Sequence, residues 1–264
     1  MDLSELLLPQ RLPRQVVFAG DRHAEIIVLR ERGGISRVRV EGASLAEGGE
    51  RDWAEVLAKL QPGATGVVFS ASPFIYNFFE FDKLPWQRKA LRELVAWRLQ
   101  KIFPENIASY DHRFFRLDAK RVLSILVRRS LAEKAEQALR ESGLPLIYLG
   151  NSTMEILARL QRAKIRPDFF IESDRDSCTM VFLDRRSPVY IRKFKSSSPA
   201  DAVEEIARTV TFVRDQYGAA ARHYCLIDHQ DEASAAAMEE NLAAADLARL
   251  NDGLGPAPYI PGCP

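Results

Sequence analysis

The stretch that decides the fold runs from residue 67 to residue 112 and has the sequence VVFSASPFIYNFFEFDKLPWQRKALRELVAWRLQKIFPENIASYDH. It opens with a short apolar run at residues 67–69, which is typical of a buried strand. Residues 74–81 then alternate between two sets of mainly aromatic side chains, and this period of two indicates a second strand. Pro85 ends the second strand because proline has no N–H for a ladder, and it suits the first turn of a helix.

The second half of this stretch has the period of a helix. Between Trp86 and Phe103, charged residues are interspersed with a continuous apolar stripe made of Leu91, Leu94, Val95, Leu99, Ile102 and Phe103. This spacing predicts one amphipathic helix whose apolar stripe faces the core. Pro104 ends the helix, since proline in a helix interior costs about 3 kcal/mol.

The order of these parts resembles a known protein family. The segments that carry the resemblance are Phe79-Glu80-Phe81-Asp82-Lys83-Leu84-Pro85, a helix with Leu94 and Trp97, Phe103-Pro104-Glu105, and Tyr110-Asp111. In this arrangement the chain resembles the actin-like cytoplasmic proteins of type IV pilus and type II secretion machines, PilM and the cytoplasmic half of GspL. The resemblance implies an α/β chain with an actin-like, duplicated ribonuclease H-like fold of two lobes, in which mixed sheets are flanked by helices.

A repeated pattern of strands also indicates two lobes. Three short strands are predicted between residues 16 and 40 and three more between residues 169 and 194, and helices and further strands follow each set. The predicted divisions are an extended leader (1–14), a first lobe (15–166) with an inserted subdomain (about 86–130), a second, shortened lobe (167–252) and a loose tail (253–264).

Capping residues predict where two helices of the first lobe begin. Ser130 with Glu133, and Ser152 with Glu155, have the spacing of a capping box. In that motif the hydroxyl and the carboxylate each accept a hydrogen bond from the backbone N–H of the other residue. Both pairs are therefore expected at the start of a helix.

The second lobe is predicted to contain two further helices. Ser198 and Pro199 open a long one, because serine is a good N-cap and proline suits the first helical position. Its inward face is predicted to be Val203, Ile206, Val210, Val213 and Tyr217. An alanine-rich helix is expected from about Glu232 to Leu250.

The composition is that of an ordinary soluble protein. In 264 residues, 37 Lys and Arg nearly balance 36 Asp and Glu, which leaves a formal net charge of +1. This balance gives no reason to expect a nucleic-acid or acidic-membrane partner. No apolar run approaches the ~20 residues of a membrane-spanning helix. Cys178, Cys225 and Cys263 lack metal-type spacing, and they suit a reducing cytosol.

The loops that would bind a nucleotide are altered. ATP-binding members of the wider superfamily hold phosphates on two hairpin loops of the form Asp-x-Gly followed by Ser or Thr, whose glycines let backbone N–H groups approach. The matching segments here are Ala19-Gly20-Asp21-Arg22-His23-Ala24 and Glu172-Ser173-Asp174-Arg175-Asp176-Ser177, and the adenosine turn is Asp228-His229-Gln230-Asp231-Glu232. Because all three segments are altered and two of them are rich in acids, we expect no nucleotide or other cofactor.

No other catalytic or metal-binding arrangement is indicated. The four histidines are scattered, and the chain contains neither a Gly-x-Ser-x-Gly elbow nor a Walker loop. Asp228, His229 and Asp231 are conceivable metal ligands, but a solvated turn before a helix is the simpler interpretation. Asp174 and Asp176 are interpreted as a charged hairpin turn rather than an acid–base pair. We therefore expect no catalytic residue and no metal site.

The resemblance implies a non-enzymatic, cytoplasmic scaffold of a pilus or secretion assembly platform. Such an adaptor links the tail of a PilN-like inner-membrane protein to the motor ATPase and meets the membrane only through its partners; self-association as a homodimer is left open. The predicted partner surface is the strand-to-helix turn, with Phe79, Phe81, Leu84, Pro85 and Trp86, and core packing is the alternative for each of these residues. Two other hypotheses are an ATP-binding, PilM-like or kinase-related enzyme with divergent phosphate loops, and a relic of the fold that serves a different complex.

Overall fold

The computed structural model describes residues 13–250 apart from 30–34, 48–49, 104–106, 186, 197, 219–220 and 230–231. The predicted tail lies outside this part, and so does the predicted leader except for its last two residues. Arg14 already joins the first sheet, because its N–H donates to Ala64 O and its carbonyl accepts from Leu29 N, both at 2.9 Å.

Strands and helices follow each other along the described part of the chain. In order, the strands are β1 (Gln15–Ala19), β2 (His23–Leu29), β3 (Ile35–Glu41), β4 (Thr65–Phe69), β5 (Phe74–Glu80), β6 (Tyr110–Arg116), β7 (Arg121–Arg128), β8 (Leu146–Asn151), β9 (Phe169–Ser173), β10 (Ser177–Asp184), β11 (Ser187–Lys195), β12 (His223–Asp228) and β13 (Ala248–Arg249). The helices are α1 (Glu50–Leu57), α2 (Arg88–Ile102), α3 (Arg129–Glu141), α4 (Ser152–Ala163), α5 (Pro199–Tyr217) and α6 (Glu232–Ala244).

Two five-stranded sheets share one design. The first has the strand order β3-β2-β1-β4-β8, and the second has the order β11-β10-β9-β12-β13. In each sheet three antiparallel strands form a meander, and two parallel strands continue the sheet beside the first strand of that meander. Parallel neighbours need crossover connections, which helices supply in both sheets. The predicted repetition of the three-strand meander is confirmed.

A third sheet, with the order β5-β7-β6, is wholly antiparallel. It includes β5, which comes before the predicted insertion at about residue 86, because β5 pairs along its whole length with β7. Helix α2 covers one face of this sheet with Leu91, Val95 and Leu99, and the opposite face packs on the core of the first lobe. Leu94 is only partly buried, and Ile102 is 50% exposed, so the predicted stripe is narrower than expected.

The central strands of the two large sheets are buried on both faces. Every residue of β1, β4 and β9 is buried, which explains their continuous apolar runs. In β9, Phe169 and Ile171 face the core of the second lobe, whereas Phe170 faces the core that the two lobes share. Cys178 is buried in the core of the second lobe, and Cys225 is buried in the core that the two lobes share.

Both predicted capping boxes of the first lobe are wrong. Helix α3 starts directly after β7 without a side-chain cap, so Ser130 and Glu133 do not form the motif. Helix α4 starts at the expected place, but its cap is Asn151, whose Oδ1 accepts the N–H of the third helical residue at 3.1 Å. Because β7 and β8 lead directly into α3 and α4, the N-cap of each helix is the last residue of the preceding strand, Arg128 or Asn151. Ser152 and Glu155 are instead fully buried.

The second lobe follows the sequence more closely. Ser198 caps α5 by accepting the N–H of Asp201 at 3.1 Å. Of the predicted inward face, Ile206, Val210 and Val213 are buried, whereas Val203 is only partly buried. Tyr217 is 51% exposed because it ends the helix at the surface beside Tyr190. Helix α6 ends at Ala244 rather than near residue 250, since residues 248–249 pair with β12.

Candidate functional site

The two hairpin turns that correspond to phosphate loops lie against each other. The first joins β1 to β2, and the second joins β9 to β10. The Asp21 N–H donates to Asp174 Oδ2 at 2.8 Å, and the Ser177 hydroxyl donates to the Asp21 carboxylate. Arg22 forms an ion pair with Asp176. The acidic residues of each turn are therefore paired with groups of the other turn.

Gly20 permits this close approach. A Cβ atom at Gly20 would lie 2.3 Å from Cε1 of His23 and 2.8 Å from Oδ2 of Asp174, which is closer than real Cβ contacts. His23 and Asp174 are both buried, with 3.6 Å between Nδ1 and Oδ1. The glycine that remains in the first loop thus makes room for side chains that fill the junction between the lobes.

Glu172, at the end of β9, occupies the start of helix α4. The Ser152 hydroxyl donates to its Oε1, and Thr153 Oγ1 donates to its Oε2 at 2.8 Å. A carboxylate at this position also interacts favourably with the positive end of the helix dipole. Because β9 belongs to the second lobe and α4 to the first, Glu172 joins the two lobes through buried, charge-assisted hydrogen bonds.

His229 completes this junction from the loop after β12. Its Nε2 lies 3.2 Å from Glu172 Oε1, and its ring stacks on Phe18 with 4.4 Å between centroids. Its carbonyl oxygen accepts a hydrogen bond of 2.8 Å from Arg39 Nη1. His229 is therefore held by groups of both lobes and is 5% exposed.

Burial and charge displace the pKa values of this network in different directions. Burial raises the pKa of the Asp21 carboxyl, and the negative charge of Asp174 raises it further. Burial lowers the pKa of His23. Burial acts in the same direction on His229, but the hydrogen bond and charge of Glu172 outweigh it and raise the pKa. The two histidines of the junction are therefore shifted in opposite directions, with the pKa of His229 raised and the pKa of His23 lowered.

Lys193 provides a further bond between the lobes. It lies on β11 of the second lobe, and its Nζ donates to the carbonyl oxygens of Ala71, Ser72 and Phe74, with the Ser72 bond at 2.8 Å. Burial lowers the pKa of its ammonium group. This contact could not be predicted from the sequence, because an isolated lysine in a strand matches no motif.

Two interpretations of the acidic turns are corrected by this geometry. The solvated turn predicted around His229 is wrong, because that side chain is buried against Glu172. The predicted charged hairpin is correct for Asp176, whose side chain is 44% exposed, but wrong for Asp174, which is 4% exposed. Gln230 and Asp231 lie outside the described residues. Within that described part, no group of three His, Cys, Asp or Glu is arranged to hold a metal ion.

The five residues predicted as a partner surface differ in burial. Phe79 and Leu84 are 6% exposed and pack in the core between α2 and the small sheet. Phe81 and Pro85 are half-buried, whereas Trp86 is 92% exposed. Only Phe81, Pro85 and Trp86 therefore present area that a partner could contact. Among the helices described, none has the length and apolar character needed to span a membrane.

Solved structures of several proteins are similar to this chain. A structure of the PilM–PilN type IV pilus biogenesis complex matches with a TM-score of 0.72 and 14% identity, over 92% of this chain and 89% of that chain. A Bacteroides thetaiotaomicron protein of unknown function with an actin-like ATPase fold matches with a TM-score of 0.59 and 7% identity, over 94% and 92% of the two chains. The chain has an actin-like fold.

The cytoplasmic domain of EpsL, an inner-membrane component of the type II secretion system of Vibrio cholerae, is also similar, with a TM-score of 0.57 and 11% identity over 83% of each chain. These identities are low, so the similarity concerns the fold, and it confirms the actin-like, two-lobed α/β fold expected from the sequence. No family model and no curated protein matches the sequence.

Proposed function

We propose that this actin-like chain is a non-enzymatic adaptor of a type IV pilus or type II secretion assembly platform. It would hold the cytoplasmic tail of a PilN-like inner-membrane protein, the motor ATPase, or both, and so would be located at the inner membrane through its partners. The similarity to the PilM–PilN complex and to the cytoplasmic domain of EpsL supports this proposal, because it extends over most of each chain.

The non-enzymatic character of the proposed adaptor is supported by the junction between the lobes, which side chains fill. In the ATP-binding members of this superfamily the two hairpin loops leave room for phosphates between them. Here Glu172 and Asp174 are buried between the lobes and are bonded to Ser152, Thr153 and the Asp21 N–H. A triphosphate at this position would have to break these bonds and would meet several carboxylates, which repel it.

Titration calorimetry with Mg-ATP tests this part directly. At protein concentrations that detect a Kd of about 100 µM, which corresponds to roughly 5 kcal/mol of binding free energy, we expect no heat of binding. Saturable heat with one site per chain would contradict the proposal and would favour the alternative, an ATP-binding protein with divergent loops.

The adaptor part is tested with candidate partners. We expect the purified chain to capture the cytoplasmic tail of a PilN-like protein or the motor ATPase from the same organism, in the absence of nucleotide. Trp86→Ala should weaken this capture, since Trp86 is the most exposed of the predicted contact residues. Tyr217→Ala removes an aromatic ring that is 51% exposed on the second lobe and serves as the matched control. Capture of neither partner by the wild-type chain would refute the adaptor.

A further inference from the structure

One segment of this nearly neutral chain has a strongly positive formal charge. Residues 74–129 include the small sheet, helix α2 and the first residue of α3, and we call them the insert module. By sequence the module contains 12 Lys and Arg against 6 Asp and Glu, which is a formal charge of +6. Since the whole chain has a charge of +1, the remaining residues sum to −5. Charge is therefore strongly segregated along this chain.

Helix α2 carries much of this excess at its surface. Its five basic residues are all exposed, and they are Arg88, Lys89, Arg92, Arg98 and Lys101. The ion pairs found among the described residues of the module join Asp118 to Arg121 and Asp111 to Arg129, and neither involves α2. Among the described residues of the module, the basic side chains of α2 thus form no ion pair with a carboxylate.

Aromatic side chains accompany these cations at the surface. Trp86 is 92% exposed and Trp97 is 49% exposed, although tryptophan normally buries most of its area. Lys101 Nζ lies 3.8 Å from the centroid of the Trp97 ring, and Arg116 Cζ lies 5.8 Å from that of Trp86. Such cation–π contacts hold the rings in place without covering them. Tryptophan and arginine are also enriched among the residues that dominate protein–protein binding.

A cavity of about 390 Å³ lies beside these residues. Its lining combines an aromatic wall with charged groups, and the residues are Glu80, Phe81, Asp82, Trp97, Arg98 and Lys120. A concave site of this kind accepts a side chain of a partner, and the basic residues at its border can pair with carboxylates. Arg98 also lies over the ring of Phe81, at 6.0 Å from its centroid, so apolar and charged contacts are available together.

From this geometry we propose that the cavity and the surrounding face of α2 bind an acidic, extended segment of a partner protein. An apolar side chain of the segment enters between Phe81 and Trp97, and its carboxylates pair with Arg98, Lys101 and Lys120. The inference rests on the adaptor function proposed above and specifies the chemistry of one partner. Complementary charge of this type speeds association and makes binding sensitive to salt.

A protein segment fits this surface better than a lipid bilayer or a nucleic acid. Glu80 and Asp82 line the cavity, and Glu93 is exposed on α2, so the basic field is interrupted by carboxylates. A bilayer surface or a phosphate backbone presents a continuous array of negative charge that these carboxylates would repel. A peptide can place its acids beside the basic residues and an apolar residue elsewhere.

Fluorescence anisotropy with a labelled peptide of Asp-Asp-Phe repeats tests the proposal on the full chain. We expect saturable binding that weakens by about tenfold or more between low and high salt. The double variant R98E/K101E should weaken binding by at least about tenfold, which is about 1.4 kcal/mol. The control K134E/R140E changes the net charge equally at two exposed positions of α3, outside the module, and should have little effect.

A second variant, R98Q/K101Q, removes the two charges without reversing them. It tests the same contacts if R98E/K101E does not fold. Equal peptide binding by the wild-type chain, both charge variants and the control would overturn the proposal. Binding to anionic phosphatidylglycerol vesicles but not to the peptide would also overturn it, in favour of a membrane surface. If the PilN-like tail or the motor still binds while the acidic peptide does not, the adaptor function stands and this inference fails. A saturable Mg-ATP heat together with peptide binding would contradict the non-enzymatic part of the proposed function and leave this inference standing.

Discussion

Glu155 offers the sharpest test of how burial controls this protein. It lies in the first turn of α4, and its side chain has no exposed area. Oε1 accepts a short hydrogen bond from the hydroxyl of Tyr148, whereas Oε2 has no hydrogen-bond partner among the residues that the structure describes. Burial raises the pKa of the Glu155 carboxyl from 4.5 to about 7, although the bond from Tyr148 and the charge of Arg162 act against the rise.

The sign of the resulting pH dependence follows from linkage. Below pH 4.5 the carboxyl is protonated in both the folded and the unfolded chain, so it carries no penalty. Between pH 4.5 and 7 the unfolded chain releases the proton and the folded chain retains it, which lowers the free energy of unfolding. Each pKa unit is worth about 1.4 kcal/mol, so the loss approaches about 3 kcal/mol above pH 7.

Glu155→Gln should remove this pH dependence. Glutamine cannot ionise, and its carbonyl oxygen can still accept the bond from Tyr148. Urea unfolding at pH 5 and pH 8 measures the effect, with the free energy extrapolated linearly to water. We expect the variant to exceed the wild type by up to about 3 kcal/mol at pH 8 and by much less at pH 5. Glu136→Gln changes an exposed glutamate of α3 and should show no such difference.

The comparison of the two pH values decides the outcome. A stability difference between Glu155→Gln and wild type that is the same at pH 5 and pH 8 would refute the reasoning. In that case any gain would come from packing of the amide rather than from avoided ionisation. Tyr148→Phe provides a second check, because loss of the donor should increase the pH dependence of the wild-type carboxyl rather than abolish it.

Three further predictions concern the insert module and the junction between the lobes. Leu99→Ala should lower the free energy of unfolding in urea by about 2–5 kcal/mol, because Leu99 is fully buried. Leu94→Ala should lower it clearly less, because Leu94 is only partly buried, and equal losses would contradict this difference in burial. Trp86→Ala should change the free energy of unfolding by less than about 0.5 kcal/mol, since the side chain is exposed, and a larger loss would show that it packs on the module. Gly20→Ala should lower the thermal midpoint, because its Cβ would collide with His23 and Asp174, and an unchanged midpoint would contradict the close approach of the two turns.

Patterns of local origin predicted the framework of this protein correctly. The alternation in β5, the stripe on α2 and the two meanders follow from the period of side chains along strands and helices, which any stretch of sequence displays directly. The Ser198 cap of α5 was also correct, because β11 ends at Lys195 and leaves a loop in which a cap can form, whereas β7 and β8 run directly into α3 and α4. The resemblance to actin-like adaptors came from this order of local elements.

The tertiary structure alone decided how the polar residues are used. The bonds from Glu172 to Ser152 and Thr153 join residues about twenty positions apart, and the bond from Asp21 to Asp174 spans 153 positions. Whether an acidic side chain is solvated, capping a helix or buried depends on what the fold places beside it, and no local pattern contains that information. For this reason the sequence predicted capping or solvated roles for Glu155 and His229, whereas packing between strands and lobes buried both.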